Sequence, residues 1–235
     1  DLKNAESLLD NKDYSGNLIL NKFDCTSTDN LEKDLLSLFD SYSCPDVFVN
    51  SSYPRTSDWT DSSFDKVKLK SLEDNIKLNL VSTSWISRFI AENMKSQSIC
   101  GSIIHLGSIY GVVGQNMNVY KGTEMTENMI YSIIKGGIIN LTRQMASSYG
   151  SSNIRINCIS PGGVEGPVAG KESSQDNLFI QNFVGTLVSF IPPYLEFSLA
   201  KYHAIKKAMF ITAHDTTYGS YLEFGVFTGS SFNFA

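Results

Sequence analysis

Tyr131 and Lys135 have the residue types and the spacing of a proton-transfer pair. They lie four positions apart in the stretch Tyr131-Ser-Ile-Ile-Lys135, and residues four apart share one face of a helix. An ammonium group close to a phenol favours the phenolate and lowers the pKa of the phenol, which makes it a usable proton donor or acceptor near neutral pH. The same spacing also occurs on exposed helix faces, so the pair needs supporting residues.

Ser108 supplies that support. It lies 23 residues before Tyr131, at the end of the apolar run in Gly101-Ser-Ile-Ile-His-Leu-Gly-Ser108-Ile-Tyr-Gly111. From the end of a strand, its hydroxyl can hold a substrate carbonyl or alcohol against the phenol. The alternative is a hydroxyl that only caps the following loop. Taken together, the three residues predict a site for proton exchange with a carbonyl or an alcohol.

The hydrophobic pattern alternates between strands and helices. Strands are predicted at residues 16–24, 46–50, 102–106 and 154–159, and helices at residues 28–39, 64–95 and 127–149. The last helix is expected to turn Ile130, Ile133, Ile134, Ile138, Leu141 and Met145 inward. Such alternation predicts a parallel sheet with crossover helices, which binds ligands at the carboxyl ends of its strands. The residues at those ends are Asp24, Asn50, Ser108 and Pro161.

Residues 16–163 resemble the short-chain dehydrogenase/reductase family, with motifs in the family's order. The matching positions are Asp24, Asn50, Asn79, Ser108, Tyr131, Lys135 and the strand and turn that run from Ile154 to Gly163. Where the family usually has Asn-Asn-Ala-Gly, this chain has Asn50-Ser-Ser-Tyr53. The resemblance implies an α/β fold with a Rossmann-like parallel sheet and helices on both faces.

The resemblance also implies an activity, the transfer of a hydride between NAD or NADP and a carbonyl or alcohol. Tyr131 would exchange the proton, Lys135 would lower the pKa of that phenol and touch the nicotinamide ribose, and Ser108 would hold the substrate oxygen. Asn79 would support a water in the proton relay. The positions implied for cofactor binding are Asp24, Asn50, Tyr131, Lys135, Pro161 and Gly162. Family members are commonly homo-oligomers.

Two departures from the family pattern affect the function. The glycine-rich turn that opens the family fold is missing, so we expect an N-terminally truncated domain that lacks the first strand-helix unit. A non-catalytic module that kept the fold is the alternative. An insertion at residues 115–125, together with residues 51–56, is similar to a bacterial subgroup associated with flagellin modification and nonulosonate-type sugars. Arg55 in the second segment is either a contact for an acidic substrate group or a solvated loop residue.

The composition changes after Gly163, which suggests a partial dehydrogenase domain at residues 1–163, a loop or linker at 164–177 and a distinct segment at 178–235. One interpretation takes the last segment as the start of an S-adenosylmethionine-dependent O-methyltransferase, with Glu223, Gly225 and Gly229 at the cofactor and a fusion with the dehydrogenase. The other takes it as a divergent end of the dehydrogenase, with residues 224–227 as the last strand of the same sheet.

Charge and composition narrow the function classes. The net charge is −5, with no basic block, so neither nucleic acid nor an anionic membrane is an expected partner, and a small-molecule substrate is. The four cysteines have no C-x-x-C spacing, and the three histidines lie far apart, so no metal site is expected. These features, with no long apolar run, predict a cytoplasmic enzyme.

Overall fold

The computed structural model of this chain describes residues 19–162 and the strand at residues 221–224. Four strands form one sheet in the order β3-β2-β1-β4. Their bounds are Val47–Asn50 for β1, Ser102–Leu106 for β2, Arg155–Ile159 for β3 and Tyr221–Phe224 for β4. All three pairings are parallel, which confirms the predicted parallel sheet.

The inner strands are apolar because they have neighbours on both sides and packed faces. Phe48 of β1 and Ile103 of β2 are fully buried, and residues 102–105 of β2 are all buried. Continuous apolar runs of this kind are typical of parallel sheets, whose faces are covered by crossover helices. β2 is therefore more completely buried than β1 and β3, and it leads directly to Ser108.

Three helices accompany the sheet. Helix α1 spans Leu31–Tyr42 and helix α3 spans Met129–Tyr149. Helix α2 is continuous and has three segments, which are α-helical Leu69–Asn75, π-helical Ile76–Val81 and α-helical Ser82–Ser96. β1, β2 and β3 follow one another in one direction across the sheet, so the right-handed crossovers usual for parallel strands put α2 and α3 on the same face, where the two helices contact each other. Helix α1 contacts α2, and no helix of the opposite face is among the described residues.

The main core lies between these helices and the sheet. Its members come from α1, α2, α3 and the strands: Leu31, Leu35, Phe48, Ile86, Ile90, Met94, Ile103, Met145, Tyr149, Ile154 and Ile156. A second, smaller cluster lies at the N-terminal half of α3, where Ile130, Ile134 and Ile138 are buried. The second cluster packs against the loop that follows β1 and against the middle of α2.

Several predicted boundaries are wrong. Residues 19–24 of the predicted first strand do not form a strand, residues 16–18 lie outside the described residues, and the neighbour of β1 on the side away from β2 is β4. Helix α2 begins at Leu69 instead of residue 64, since a turn at Ser63 leaves Phe64 exposed. Helix α1 spans Leu31–Tyr42 instead of the predicted residues 28–39. Ile133, predicted to point inward, is 40% exposed.

Candidate active site

Helix α3 begins at a cap that places Tyr131 in its first turn. The side-chain Oδ1 of Asn128 accepts a hydrogen bond from the backbone N–H of Tyr131 at 2.8 Å. Asparagine is among the preferred caps because it satisfies a backbone donor that has no partner within the helix. The buried isoleucines of α3 pack against the loop after β1 and the middle of α2. This packing turns Tyr131 and Lys135 towards the turn after β2.

Ser108 lies two residues after the end of β2 and is buried. Its hydroxyl accepts the backbone N–H of Tyr110 at 3.2 Å, which makes it the cap of the short helical turn Ile109–Gly111. A Cβ on Gly111 would lie 2.6 Å from the carbonyl carbon of Lys135, so this glycine lets the turn approach α3 closely. The structure thus brings Ser108 beside α3, and its capping role and its predicted substrate role involve the same hydroxyl.

Lys135 is a buried ammonium with a carbonyl partner. Its side chain is 7% exposed, and Nζ donates to the backbone oxygen of Leu106 at 2.7 Å. Nζ also lies 4.6 Å from the ring centroid of Tyr53 and 5.7 Å from that of Tyr131. Burial lowers the pKa of Lys135 to about 8, an effect that the nearby Cys158 partly opposes. Desolvation disfavours the charged form of an amine, which accounts for this direction.

The pKa expected for Tyr131 is not found in this structure. Burial raises the pKa of the Tyr131 phenol, and the nearby Ser108 side chain partly opposes the rise. The Lys135 ammonium donates to Leu106 and lies nearer to the ring of Tyr53 than to that of Tyr131. The role of Lys135 in lowering the pKa of Tyr131 therefore stays a prediction.

Asn79 lies in the π-helical segment of α2 and is buried. Its Nδ2 donates to the backbone oxygens of Pro54 and Asn75, at 2.9 and 3.1 Å. Its Oδ1 is buried without a hydrogen-bond partner in the described part of the chain. A buried acceptor without a partner costs about 1–3 kcal/mol unless a donor such as water reaches it. An acceptor of this kind is what the relay water implied by the resemblance would need, and that role of Asn79 stays a prediction.

Asn50 and Asp24 are held by the protein itself. At the end of β1, Asn50 donates from Nδ2 to Thr83 Oγ1 at 3.0 Å and accepts from the backbone and hydroxyl of Ser52 at 3.2 and 2.7 Å. Asp24 is exposed, and its Oδ1 accepts from the backbone and hydroxyl of Thr26, which lowers the pKa of the carboxyl. Both side chains therefore shape loops at their positions.

The turn after β3 meets the turn after β2. The backbone oxygen of Pro161 accepts the N–H of Ile109 at 3.0 Å, which joins the two carboxyl ends. Gly162 follows within the described residues, whereas Gly163 lies outside them. Of the residues predicted for S-adenosylmethionine, Glu223 belongs to β4, and Gly225 and Gly229 lie outside the described residues.

An aromatic group that the sequence analysis did not assign covers the site. Tyr53 stands edge-on to Trp59 and to Tyr131, with ring centroids 5.5 Å apart in both pairs. Its hydroxyl is buried without a partner in the described part of the chain, and burial raises its pKa. The sequence carries one signal for the role of Tyr53, because this residue stands where the family motif Asn-Asn-Ala-Gly has glycine. Arg55, two residues further, is exposed.

The arrangement fits the nicotinamide end of a dinucleotide coenzyme. The ammonium of Lys135 has hydrogen-bonding capacity beyond Leu106 that could serve ribose hydroxyls, and Ser108 and Tyr131 stand beside it. Among the described residues, no group of histidine, cysteine, aspartate and glutamate side chains could hold a metal ion. Within the same residues, no helix combines the length and the apolar character needed to cross a membrane.

Comparisons with known proteins agree with this chemistry. The sequence profile of a family described as enoyl-(acyl carrier protein) reductase matches residues 3–184. The post-translational flagellin modification protein A of Campylobacter coli is 30% identical over 171 residues, which cover 73% of this chain and 64% of that protein. The 7α-hydroxysteroid dehydrogenase of Bacteroides fragilis is 30% identical over 124 residues, which cover 53% of this chain and 43% of that protein.

A solved structure gives the same result for the fold. A short-chain dehydrogenase from Leptospira borgpetersenii, crystallised with NAD+, superposes with a TM-score of 0.59 at 28% identity. The match covers 74% of this chain and 63% of that one. The chain thus spans less than two thirds of the length of each of these three proteins.

Proposed function

The chain belongs to the short-chain dehydrogenase/reductase family, and from this premise we propose that it carries the catalytic centre of an NAD(P)-dependent oxidoreductase. The observation that carries the proposal is that the turn capped by Ser108, just after β2, packs against the helix that carries Tyr131 and Lys135, with Lys135 Nζ bonded to the Leu106 carbonyl. The nicotinamide coenzyme, when bound, supplies or accepts the hydride. The side chains of the protein position the substrate and move the proton.

In this mechanism Tyr131 gives its proton to the carbonyl oxygen during reduction and takes it back from the alcohol during oxidation. Ser108 donates to the same substrate oxygen and so fixes its distance from the phenol. Burial raises the pKa of Tyr131, which keeps the phenol protonated at neutral pH. A protonated phenol can donate the proton that carbonyl reduction requires.

Lys135 and Asn79 complete the proposed centre. The Lys135 ammonium would hold the nicotinamide ribose, and Asn79 would hold the water through which protons reach the site, with its unpartnered Oδ1 as the contact. Pro161 and Gly162 would border the nicotinamide from the turn after β3. Asp24 and Asn50 would act on the coenzyme mainly by shaping the loops in which their side chains are bonded.

A sugar or nucleotide-linked sugar is the proposed substrate class. The support is the similarity to a flagellin modification protein together with the insertion at residues 115–125. We also propose that the protein is a homo-oligomer in the cytoplasm. All four cysteines are free thiols, which fits a reducing compartment. The alternative of a separate methyltransferase domain is less well supported, because β4 joins the same sheet as the catalytic strands.

The proposal is tested by coenzyme oxidation in the presence of keto-sugars and nucleotide-linked keto-sugars, with NADH and NADPH compared. Wild-type protein should oxidise one of the two coenzymes only when a carbonyl substrate is present. Tyr131→Phe should lower kcat by a factor of about 10² to 10⁴, because it removes the proton donor. Tyr42→Phe is the matched control, since Tyr42 lies exposed on α1, and it should leave turnover unchanged.

Two results would count against the assignment. If Tyr131→Phe turned over substrate like the wild type, another group would be the proton donor. If the wild type bound neither coenzyme and reduced no carbonyl compound, the chain would fit the non-catalytic alternative instead.

A further inference from the structure

Gln115, in the loop between Ser108 and α3, makes four hydrogen bonds through its side chain. Its Oε1 accepts from the backbone N–H of Asn128 at 2.8 Å and from the hydroxyl of Tyr120 at 3.1 Å. Its Nε2 donates to the backbone oxygen of Asn128 at 3.1 Å and to the hydroxyl of Ser132 at 3.0 Å. A glutamine amide has two donors and an acceptor oxygen, so its full capacity is used.

The orientation of this amide is fixed by the backbone it touches. The N–H of Asn128 can only donate and the carbonyl of Asn128 can only accept, so the oxygen and the nitrogen of Gln115 cannot exchange places. The amide pairs with both polar backbone groups of one residue, much as a neighbouring strand would. Gln115 therefore holds the backbone of Asn128 in place from outside the helix.

Asn128 is the residue that caps α3. Its Oδ1 accepts the backbone N–H of Tyr131, and its Nδ2 donates to the backbone oxygen of Trp59 at 3.4 Å. A displacement of Asn128 is thus transmitted directly to the backbone of Tyr131 and to the loop that carries Trp59. The ring of Trp59 in turn lies 6.4 Å from that of Tyr131.

The rest of the loop is anchored well enough for Gln115 to act as a brace. Val119 and Tyr120 are buried, although residues 112–114 and 116–118 are exposed. The side chain of Gln115 therefore connects the buried Tyr120, within the loop, with Asn128, which caps α3. An exposed loop with no other role would not need a side chain bonded at four points.

We propose that Gln115 is a positioning residue, which holds the Tyr131 hydroxyl in register with Ser108 by bracing Asn128. The inference rests on the proposed function, because it assigns Gln115 to the reaction of Tyr131. It makes the loop at residues 115–125 part of the proton-transfer geometry. A misplacement of about 1 Å at a reacting group can cost about a hundredfold in rate.

The test compares Gln115→Ala, Gln115→Met and Gln115→Glu in the full chain with Gln144→Ala. Gln144 lies on the exposed face of the same helix, where its Nε2 donates to Ser148, so its replacement controls for loss of a glutamine bond. We expect Gln115→Ala and Gln115→Met to lower kcat by about 10- to 100-fold, with the KM for coenzyme within about twofold of the wild type. Gln144→Ala should match the wild type.

Gln115→Glu adds a pH signature that a purely structural role would not give. The carboxylate keeps the contacts with Asn128 N–H and Tyr120 but faces the Asn128 carbonyl without a proton to donate. Protonation restores a donor, so the activity of this variant relative to the wild type should rise as the pH falls. Gln115→Met retains the length of the side chain and remains informative if Gln115→Ala fails to fold.

Amide hydrogen exchange gives a readout that is independent of turnover. Because the Tyr131 N–H bonds the side chain of Asn128, its exchange should be at least about tenfold faster in Gln115→Ala and unchanged in Gln144→Ala. If kcat and Tyr131 exchange in all Gln115 variants equal those of the wild type, the inference is wrong. If the wild type itself is inactive but the Tyr131 exchange responds as described, the proposed function fails while the brace is retained.

Discussion

At the scale of single residues, the site contains a lysine in an unusual setting. Lys135 is almost fully buried, and its ammonium bonds one carbonyl and lies near two aromatic rings. Neither ion pair found among residues 19–162 includes it. Burial of this charge is costly, which is why the pKa falls to about 8. A chain selected for stability alone has little reason to keep a charge there, so the lysine indicates a function.

The stability of the chain should show this cost. Between the folded pKa of about 8 and the ordinary value of 10.5, the unfolded chain binds more protons than the folded chain. Stability therefore rises with pH across that window, and the full cost is present below pH 8. We expect Lys135→Met to raise the free energy of unfolding at pH 7 by about 1–2 kcal/mol while abolishing turnover.

Urea unfolding of Lys135→Met and the wild type, at neutral pH and at a pH above the ordinary lysine value, checks this expectation. The difference between the two proteins should shrink at the higher pH. A variant that is less stable than the wild type at pH 7 would show that the hydrogen bond to Leu106 and the ring contacts outweigh the cost of burial.

The sequence predicts which residues meet but not their protonation. Spacing alone places Tyr131 and Lys135 on one helix face and Ser108 at a strand end. The pKa directions depend on burial, and burial depends on Tyr53, which lies in a loop whose path has no periodic pattern. The role of Gln115 could not be predicted either. A polar loop residue gives no sign in the sequence that its hydrogen-bond partners lie 13 and 17 residues further along the chain.

At the scale of elements, a buried histidine connects β2 to both neighbouring helices. His105 is fully buried, with Nε2 2.8 Å from Ser87 Oγ on α2 and Nδ1 2.8 Å from Thr142 Oγ1 on α3. Thr142 donates its own proton to the Ile138 carbonyl, so it must accept from Nδ1. Ser87 therefore donates to Nε2, and the imidazole is neutral with its proton on Nδ1.

This link predicts acid sensitivity. Burial lowers the pKa of His105 to about 4 from an ordinary value of 6.5. Between these values the unfolded chain binds more protons, so the contribution of His105 is fully present above pH 6.5 and is lost as the pH falls towards 4. The wild type should lose up to about 3 kcal/mol of stability across this window from His105 alone.

His105→Leu should unfold more readily at pH 7, because Ser87 and Thr142 lose their partner, but its stability should change less between pH 6.5 and pH 4. Denaturant titrations at these pH values give the comparison, and the other two histidines contribute equally to both proteins. Equal pH slopes in the wild type and the variant would contradict the neutral, buried state of His105.

The type of an element could be predicted where its apolar periodicity continues over many residues. The first and last residues of the elements could not be predicted in this way. The isoleucines of α3 fix that helix from the sequence, while its start at Met129 depends on the Asn128 cap. The part of the predicted first strand that the structure describes, residues 19–24, shows the opposite case, since a short apolar run alone does not determine a strand. A sequence does not state which segment will occupy the edge of β1.

At the scale of the whole molecule, β4 joins the end of the described chain to its catalytic part. Tyr221–Phe224 pairs in parallel with Val47–Asn50, so that β1 has neighbours on both sides. The second interpretation of the last segment predicts a strand at residues 224–227; Phe224 is the last residue of β4, and residues 225–227 lie outside the described residues. One sheet therefore extends from Arg155–Ile159 to Tyr221–Phe224.

Deleting residues 221–235 should expose the edge of β1. We expect amide hydrogen exchange in residues 47–50 to become at least about tenfold faster, while residues 102–106, which do not contact β4, keep their protection. Unchanged exchange in β1 would mean that β4 does not pair with β1 in solution. That result would favour the methyltransferase interpretation.

The central claim is that Tyr131 serves hydride transfer between a coenzyme and a carbonyl, and deuterium transfer tests it most directly. Reduced coenzyme labelled with deuterium at the transferred position is incubated with the protein and a keto-sugar, and the product is examined by mass spectrometry. The account predicts one deuterium on the carbinol carbon with the wild type and at most traces with Tyr131→Phe. Equal labelling by both proteins, or a reduced product without deuterium, would contradict it.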